Sequence, residues 1–510
     1  MAKYFLTTAI DYANGDPHIG HAYEKIGADA IARYRRLRGD DVYFLSGLDE
    51  HGQKVAQAAA DRGVSPQAFV DDIASRFSAM WQRLSISYDQ FIRTTNAPHK
   101  RGVKALIELI HERNPDDFYE KSYEGWYCVG CELFKRDDEI VDGKCVLHPT
   151  RTLEWTTERN WFFRLTRYQD FIKDLFAKQP EFLAPATRRN EILALLEQGL
   201  EDISITRSRL SWAIPFPIAV SSGEQQGTWV WFDALPNYLT ATGFPDPGYD
   251  RLWPAELHVI GKDITRLHCV IWPAMLEAAG IALPARVWAH GFVNLSGERF
   301  SKSAGVRLDL DEAVDFRGSD ALRYFLLREV PFDADGDFSW ERFEERYNSD
   351  LANTLGNLAS RAISMVEKYC EGVVPRGAAV SLDAADAGDL AEYHAAMDGS
   401  RGFLLNEALR RVFLCASRGN EFVQASQPWA LAKKPESRAE LETVLAGIMR
   451  QLARHAIHLA PFMPVKAQEL WVQLGGPGAV SDQRFDRARA LDVTGWRVAK
   501  GEPLFPKPVV

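Results

Sequence analysis

Two short segments of the chain carry residues that are suited to handling a triphosphate. The first contains His18, Gly20 and His21, and the second is the basic run 299–303 around Lys302. Imidazole and ammonium groups donate hydrogen bonds to phosphate oxygens, and positive charge stabilises pyrophosphate as it leaves. Together the segments predict ATP binding, with His18, His21 and Lys302 as catalytic residues. Each segment alone has a plainer interpretation: a helix start with two surface histidines, or a solvated basic turn.

The surroundings of the first segment indicate a strand, a turn and a helix. Residues 4–10 are β-branched and aromatic, 14–17 is a turn signal, and apolar residues recur at helical spacing over 18–38. Both histidines are expected in the first turn of this helix, on one face, where free backbone N–H groups attract phosphate. Gly20 leaves room for an adenine to approach the backbone.

The second segment follows a strand-like run at 287–293 and is flanked by glycines. This pattern predicts a basic loop that closes over the triphosphate. Arg299, Ser301 and Ser303 are therefore further candidates for ATP binding beside Lys302.

Four residues have the spacing of a zinc knuckle. Cys128 and Cys131 form C-x2-C, and Cys145 and His148 form C-x2-H. Three thiolates and one imidazole make a closed tetrahedral set, which is typical of a structural rather than a catalytic zinc site. The sequence predicts one structural zinc per chain.

Composition limits the remaining possibilities. A chain of 510 residues with 46% hydrophobic content predicts a globular protein of about two to four domains. The sequence shows no secretory leader and no long apolar span, so a soluble, cytoplasmic protein without membrane contact is expected. The net charge of −10 argues against general nucleic-acid binding, so RNA contacts must come from local patches. Cys269, Cys370 and Cys415 are expected to be simply packed.

Alternating strand and helix patterns on both sides of the cysteine-containing region predict a split, parallel-sheet nucleotide fold. Beyond residue 350 helical patterns dominate and predict a bundle. The expected strands are 41–47, 228–232 and 257–260; the expected helices are 65–84, 351–367, 390–418 and 438–460; and 372–389 is expected to be a loop.

At this point a family resemblance becomes specific. The two triphosphate segments resemble the HIGH and KMSKS motifs of class I aminoacyl-tRNA synthetases, and nearly the whole chain is similar to the methionyl-tRNA synthetases. The single knuckle resembles that family's one-zinc branch. Departures from the family pattern are Arg299 for lysine, Phe300 for methionine, Leu235 for proline, and Asp11 for proline or tyrosine. The similar stretches are 12–15, 49–52, 231–234, 261–264, 272–273, 353–361 and 427–429.

The resemblance implies roles for individual residues. Asp49 would hold the substrate ammonium, and Gly261 and Asp263 would meet adenosine. Asn357, Arg361 and Trp429 would read the CAU anticodon. The methionine pocket would comprise Ala9, Ile10, Tyr12, Asp49, Trp231, Ala234, Leu235, Tyr238, Ile264, His268 and Trp272.

It also implies an α/β fold: a class I Rossmann-like parallel-sheet catalytic domain, split by a zinc-binding connective insertion and followed by an α-helical anticodon-binding bundle. The expected regions are 1–116 and 226–293 for the two catalytic halves, 117–225 for the insertion, 294–349 for the KMSKS loop and stem-contact region, 350–474 for the bundle and 475–510 for a tail.

The implied reaction activates L-methionine with Mg²⁺-ATP and then esterifies the 3′-terminal ribose of initiator and elongator methionine tRNA. Because the tail at 475–510 is too short to be an appended dimerising domain, a monomer is expected.

Two alternatives remain. One is a synthetase for leucine, isoleucine or valine, although 117–225 is too short for the large editing insertion of those enzymes. The other is a catalytically silent tRNA-binding relative, against which the intact His18, His21 and Lys302 argue.

Overall fold

The computed structural model describes residues 2–128, 133–135, 137–146, 148–208, 210–221, 223–295, 298–299 and 308–507. The first part of the chain consists of alternating strands and helices. They are β1 (Lys3–Thr8), β2 (Asp11–Tyr12), α1 (Ile19–Arg38), β3 (Asp41–Asp49), α2 (Gln53–Asp61), α3 (Pro66–Arg83), β4 (Gln90–Arg93) and α4 (Ala97–Arg113).

An insertion rich in antiparallel strands follows. Its longest feature is a two-stranded ribbon in which β5 and β10 pair from Phe118↔Phe163 to Tyr127↔Glu154. The elements are β5 (Phe118–Cys128), β6 (Leu133–Phe134), β7 (Ile140–Val141), β8 (Lys144–Cys145), β9 (His148–Thr152), β10 (Glu154–Phe163), α5 (Gln169–Lys178), β11 (Leu183–Ala184), α6 (Ala186–Gln198), β12 (Ile203–Ser204), β13 (Thr206–Arg207) and β14 (Gly227–Thr228).

The chain then returns to the sheet that contains β1 and β3. The elements are α7 (Val230–Ala234), α8 (Asn237–Thr240), β15 (Leu257–Gly261), α9 (Trp272–Ala279), β16 (Val287–His290), β17 (Val293–Leu295), β18 (Glu298–Arg299), α10 (Leu310–Arg317), α11 (Ser319–Glu329), β19 (Gly336–Phe338) and α12 (Trp340–Arg346). A π-helical turn at Leu267–Ile271 leads into α9, and a longer one at Tyr347–Gly356 leads into the bundle.

The bundle consists of α13 (Asn357–Cys370), α14 (Ser381–Met397), α15 (Leu405–Ser426), α16 (Pro428–Leu431), α17 (Arg438–Leu459), α18 (Pro464–Gln473) and α19 (Phe485–Ala488). It shares a continuous core with α1. Tyr34 of α1 lies 6.1 Å from Tyr393 and 5.3 Å from Phe485, measured between ring centroids. Arg323, fully buried, bonds Asp29 of α1 and the carbonyls of Pro461 and Phe462, so it ties the two regions together.

The central sheet has seven strands in the order β11-β16-β15-β1-β3-β2, with β4 also pairing β3, and every pair is parallel. Parallel strands bring their carboxyl ends to one edge, where ligands bind in folds of this type. The edge strand β11 lies within the range expected for the insertion, because the chain touches the sheet at residues 183–184 before leaving it again.

Several expected elements are confirmed and several are wrong. Helices α3 and α17 and strand β15 lie where they are expected. The expected strand at 228–232 is wrong, because it ends at Thr228 and Val230–Ala234 is helical. The single expected helix at 390–418 is two helices, α14 and α15, and the expected loop at 372–389 contains the start of α14.

No helix within the described ranges is long and apolar enough to cross a membrane.

Candidate functional site

His18 is the N-cap of α1, so the helix begins one residue later than expected. Its Nδ1 accepts hydrogen bonds from the backbone N–H groups of Gly20 at 3.2 Å and His21 at 3.4 Å. The His21 Nδ1 in turn accepts from the backbone N–H of His18 at 3.3 Å. This is a capping box built from two histidines. The expectation of free amides at this helix start is therefore wrong for Gly20 and His21.

The cap fixes the tautomer of both rings. Because each Nδ1 accepts a hydrogen bond, the proton of each neutral imidazole is on Nε2. The His18 and His21 rings stack with centroids 3.6 Å apart and planes 20° apart. A Cβ on Gly20 would approach the His18 ring to 3.1 Å, so a side chain there would press on the stack. Each ring therefore carries its proton on Nε2, the nitrogen outside the cap, and an Nε2–H group is suited to donate to a phosphate oxygen.

Residues expected to bind substrate meet at the carboxyl edge of the sheet. Ala9 follows β1, Asp49 ends β3, and Gly261 ends β15 with Asp263 just beyond it. The Ala9 N–H donates to the Val259 carbonyl at 3.0 Å, which joins the β1 and β15 ends. The candidates for binding adenosine and the substrate ammonium therefore lie at the same edge of the sheet.

The apolar candidates form one cluster beneath this edge. Leu235, Tyr238 and Trp272 are buried in it, and their neighbours pack against it partly buried. Asp49, 5% exposed, lies opposite Tyr12 in the β2–β3 register. An apolar cluster beside one carboxylate suits an amino acid that has a long apolar side chain. The partly buried neighbours are Ala9, Ile10, Tyr12, Trp231 and Ile264.

The Tyr238 and His268 side chains are joined by a hydrogen bond in the pocket region. The His268 Nδ1 donates to the Ile264 carbonyl at 3.0 Å, so the Nε2 is an acceptor, and the Tyr238 hydroxyl donates to it at 2.8 Å. Burial lowers the pKa of His268 to about 4, which keeps the imidazole neutral. With their polar atoms paired, the two rings offer mainly polarizable surface, which suits a thioether.

The structure adds a buried ion network that the sequence did not reveal. Asp233, fully buried, accepts from His51 Nδ1 at 2.6 Å and from His99 Nε2 at 2.8 Å. Although burial opposes ionisation, the two imidazoles hold the pKa of Asp233 at about 2. The network fastens α7, which carries Trp231 and Ala234, to the segment after Asp49. His51 within the 49–52 stretch was the available signal, but Asp233 and His99 are distant from it in sequence.

Two of the four expected zinc ligands are described, and the structure brings them together. Cys128 and Cys145 are buried in one small cluster with Leu153. Backbone pairing of Cys145 with His148 in β8–β9 brings that residue next to the cluster. The side chain of His148 and all of Cys131 lie outside the described residues. Two buried thiols in one cluster fit a tetrahedral thiolate site.

Lys302, Ser301 and Ser303 also lie outside the described residues, as does the side chain of Arg299. The structure therefore leaves the second triphosphate segment as a sequence prediction.

Cys415 is not simply packed. Its sulfur lies with ligand atoms of Asp386 and His455 in a group within 4.8 Å of one another, found among the described residues. Both Asp386 oxygens are already bonded, one to Arg418 Nη1 at 2.5 Å and the other to Gln451 Nε2 at 2.7 Å. Because the Arg418 guanidinium already occupies the Asp386 carboxylate, it competes with any metal cation. We therefore interpret these three residues as part of a buried polar network in the bundle.

The three anticodon candidates lie close together in the bundle. Asn357 and Arg361 are one turn apart on α13, and the Arg361 guanidinium lies 5.8 Å from the centroid of the Trp429 ring. Trp429 is half-buried in α16, which follows Gln427 with a positive φ of 44°. The Asn357 amide approaches Asn420 Oδ1 at 3.5 Å, which adds Asn420 to the patch. An indole flanked by an arginine and two amides can stack on one base and bond its edge.

Comparison with known proteins supports a single family. The family described as tRNA synthetases class I (M) matches residues 4–151 and 138–363 of the chain. A methionine–tRNA ligase of Caldanaerobacter subterraneus subsp. tengcongensis is 41% identical over 512 residues, covering 99% of this chain and 78% of the relative. That of Brucella suis is 42% identical over 522 residues, covering 99% and 98%.

Solved structures agree. The chain is similar to Mycobacterium tuberculosis methionyl-tRNA synthetase in complex with methionyl-adenylate, with a TM-score of 0.93 and 40% identity over 99% of this chain and 100% of the other. Against the apo form of the same enzyme the TM-score is 0.85, with 37% identity over 100% and 99% of the two chains.

Proposed function

The chain belongs to the methionyl-tRNA synthetase family of class I synthetases, and we propose that the residues at the carboxyl edge of its sheet carry out that family's reaction. The enzyme activates L-methionine with ATP to methionyl-adenylate and pyrophosphate, and then transfers the methionyl group to tRNA. The assignment of individual residues, of zinc and of the tRNA contacts is the proposal that follows.

In the first step the methionine carboxylate attacks the α-phosphate of Mg²⁺-ATP and pyrophosphate leaves. The carboxylate is already a nucleophile, so catalysis consists of positioning and charge stabilisation. His18 and His21 donate from Nε2 to the phosphates, and Lys302, with Arg299, Ser301 and Ser303, stabilises the departing pyrophosphate. Gly261 and Asp263 hold adenosine.

Methionine lies with its ammonium on Asp49 and its side chain against Tyr238, His268 and Trp272. The hydrogen-bonded Tyr238–His268 pair rejects polar side chains, because such a side chain would lose its water without gaining a partner. Methionine fits because its thioether needs no strong hydrogen bond.

In the second step the terminal ribose hydroxyl of initiator or elongator methionine tRNA takes the methionyl group from the adenylate. Asn357, Arg361 and Trp429 read the anticodon, because one aromatic face and several edge donors are what single-stranded bases require. The protein acts as a monomer.

Zinc, when bound, would hold the turn of the insertion rigid. Cys128, Cys131, Cys145 and His148 would be its ligands, and the burial of Cys128 and Cys145 in one cluster fits this set. A closed set of four protein ligands leaves no position for substrate, so the metal supplies structure only.

The single observation that carries the residue assignment is the stacked His18–His21 pair. The pair stands at the start of α1, and both Nδ1 atoms are engaged in the cap. The cap commits both rings to present Nε2–H, which is the donor that phosphates need.

A His18→Asn variant separates the ring from the cap. Asparagine is among the best N-cap residues, so α1 should keep its cap while the phosphate donor is lost. We expect methionine-dependent ATP–pyrophosphate exchange to fall by about 100-fold, the size of one lost transition-state contact, with methionine affinity unchanged. Ser65→Asn is the matched control, because Ser65 caps α3 by accepting from the Ala68 N–H. Near-normal exchange by His18→Asn would remove the phosphate role.

A further inference from the structure

A lysine is completely buried behind the methionine pocket. Lys25 lies on α1 and is 0% exposed. Its ammonium donates to the Ala9 carbonyl at 3.0 Å, to Asp11 Oδ1 at 2.5 Å and to Glu24 Oε1 at 2.8 Å. An ammonium has three N–H donors, so all three are used. Although burial disfavours the cation, the two carboxylates raise the pKa of Lys25 above its ordinary value.

The carboxylates beside this lysine are strongly affected by burial. Glu24 Oε2 lies 3.0 Å from His290 Nε2, and His290 Nδ1 lies 2.7 Å from the Gly291 carbonyl. Burial raises the pKa of Asp11 to about 7, although the Lys25 ammonium opposes the shift. Because a buried unpaired ion is costly, the direct pairing of Lys25 with Asp11 and Glu24 explains how the group persists without solvent.

The acceptors of Lys25 are part of the backbone turn that lines the pocket. The turn runs from Ala9, whose N–H is held by the Val259 carbonyl, to Ala13, whose N–H is held by the Asp49 carbonyl at 2.8 Å. Between these two points Lys25 holds the Ala9 carbonyl and the Asp11 side chain. Asp11 lies between Ile10 and Tyr12 in the chain. Lys25 therefore holds this segment at Ala9 and at a residue flanked by two further pocket candidates.

We propose that Lys25 and Asp11 are positioning residues that hold the 9–12 turn in the shape required for methionine, and this inference rests on the proposed function. The turn supplies Ala9, Ile10 and Tyr12 to the pocket and lies in register with Asp49. Lys25 touches none of the reacting atoms. It sets substrate affinity by fixing the backbone that carries the pocket side chains.

The test compares two variants and one control by pyrophosphate exchange and thermal unfolding. Lys25→Met removes the ammonium and leaves Asp11 and Glu24 uncompensated, so Tm should fall. The double variant Asp11→Asn/Lys25→Met removes the opposite charges together, which restores much of the stability. Lys3→Met is the control. Lys3 is the first residue of β1 and also donates to two backbone carbonyls, those of Leu252 and Pro254, but it lies at the end of the strand opposite to Ala9.

We expect the methionine KM of both Lys25 variants to rise by about tenfold or more, as for loss of a charge-assisted hydrogen bond. The ATP KM and the kcat should change by less than about threefold. The double variant should recover Tm without recovering the methionine KM. Recovery of both would mean that the pair serves stability alone and would overturn the proposal. Absence of methionine-dependent exchange in the wild type and in Lys3→Met would instead reject the proposed function.

Discussion

The hydrogen bond between Tyr238 and His268 offers a quantitative test of the methionine pocket. Tyr238→Phe removes the hydroxyl that donates to His268 Nε2 at 2.8 Å and leaves both aromatic rings in place. His268 Nδ1 stays committed to the Ile264 carbonyl, so Nε2 remains an acceptor without its donor. The consequence depends on whether water can replace the hydroxyl.

In the ligand-free variant, we expect a water molecule to take the place of the hydroxyl and donate to Nε2. Bound methionine displaces that water, and its thioether cannot donate in return. A buried unpaired acceptor therefore destabilises the methionine complex by about 1–3 kcal/mol. At about 1.4 kcal/mol per tenfold, the methionine KM should rise by about 5-fold to 100-fold. The kcat should change little, since the carboxylate and phosphate lie at the other end of the substrate.

Pyrophosphate exchange at varied methionine and at varied ATP measures both constants. Tyr43→Phe is the matched control, because the Tyr43 hydroxyl donates to Gln90 on the same sheet, outside the proposed pocket. An unchanged methionine KM in Tyr238→Phe, or an equal rise in the ATP KM, would show that this pair does not bound the methionine site.

Four further outcomes are expected. Lys302→Ala should lower methionyl-adenylate formation by at least about 100-fold with methionine affinity unchanged, as measured by pyrophosphate exchange; near-normal exchange would contradict its role. Trp429→Ala should lower tRNA charging by about tenfold or more, since stacking one base contributes about 1–3 kcal/mol, while exchange stays intact; equal loss of both would indicate a folding defect. Elemental analysis should find about one zinc per chain, lost in Cys128→Ser and Cys145→Ser, and zero or two would contradict the single knuckle. Light scattering should give the mass of a monomer, and a stable dimer would refute that expectation.

Local patterns predicted the fold class because periodicity and turn residues act over short distances. Helix α3 follows from Ser65, Pro66 and the apolar spacing after them, and β15 is a compact apolar run. The elements that were predicted wrongly have sequences that are compatible with more than one secondary structure. Residues 228–232 have the aromatic, β-branched composition of a strand, but Val230–Ala234 is helical and buries Phe232 and Asp233. Composition cannot distinguish a buried strand from a short buried helix.

In the candidate site, too, some residues could be predicted from the sequence and others could not. Motif residues such as His18, His21 and Asp49 can be predicted from the sequence because their neighbours define a turn or a strand end. The supporting hydrogen-bond networks cannot be predicted, because only the fold brings their members together. Asp233 contacts His51 and His99, and Lys25 contacts Asp11. The capping role of His18 was also missed, since a histidine is not an expected N-cap residue.

The most direct test of the central claim is ATP–pyrophosphate exchange by the wild-type protein with each of the common amino acids in turn. The account predicts exchange that depends on methionine, with leucine, isoleucine and valine giving a kcat/KM lower by at least about 100-fold, the discrimination that a fitted pocket supplies. Comparable exchange with one of those amino acids would contradict the pocket assignment. Absence of exchange with every amino acid would contradict adenylate formation itself.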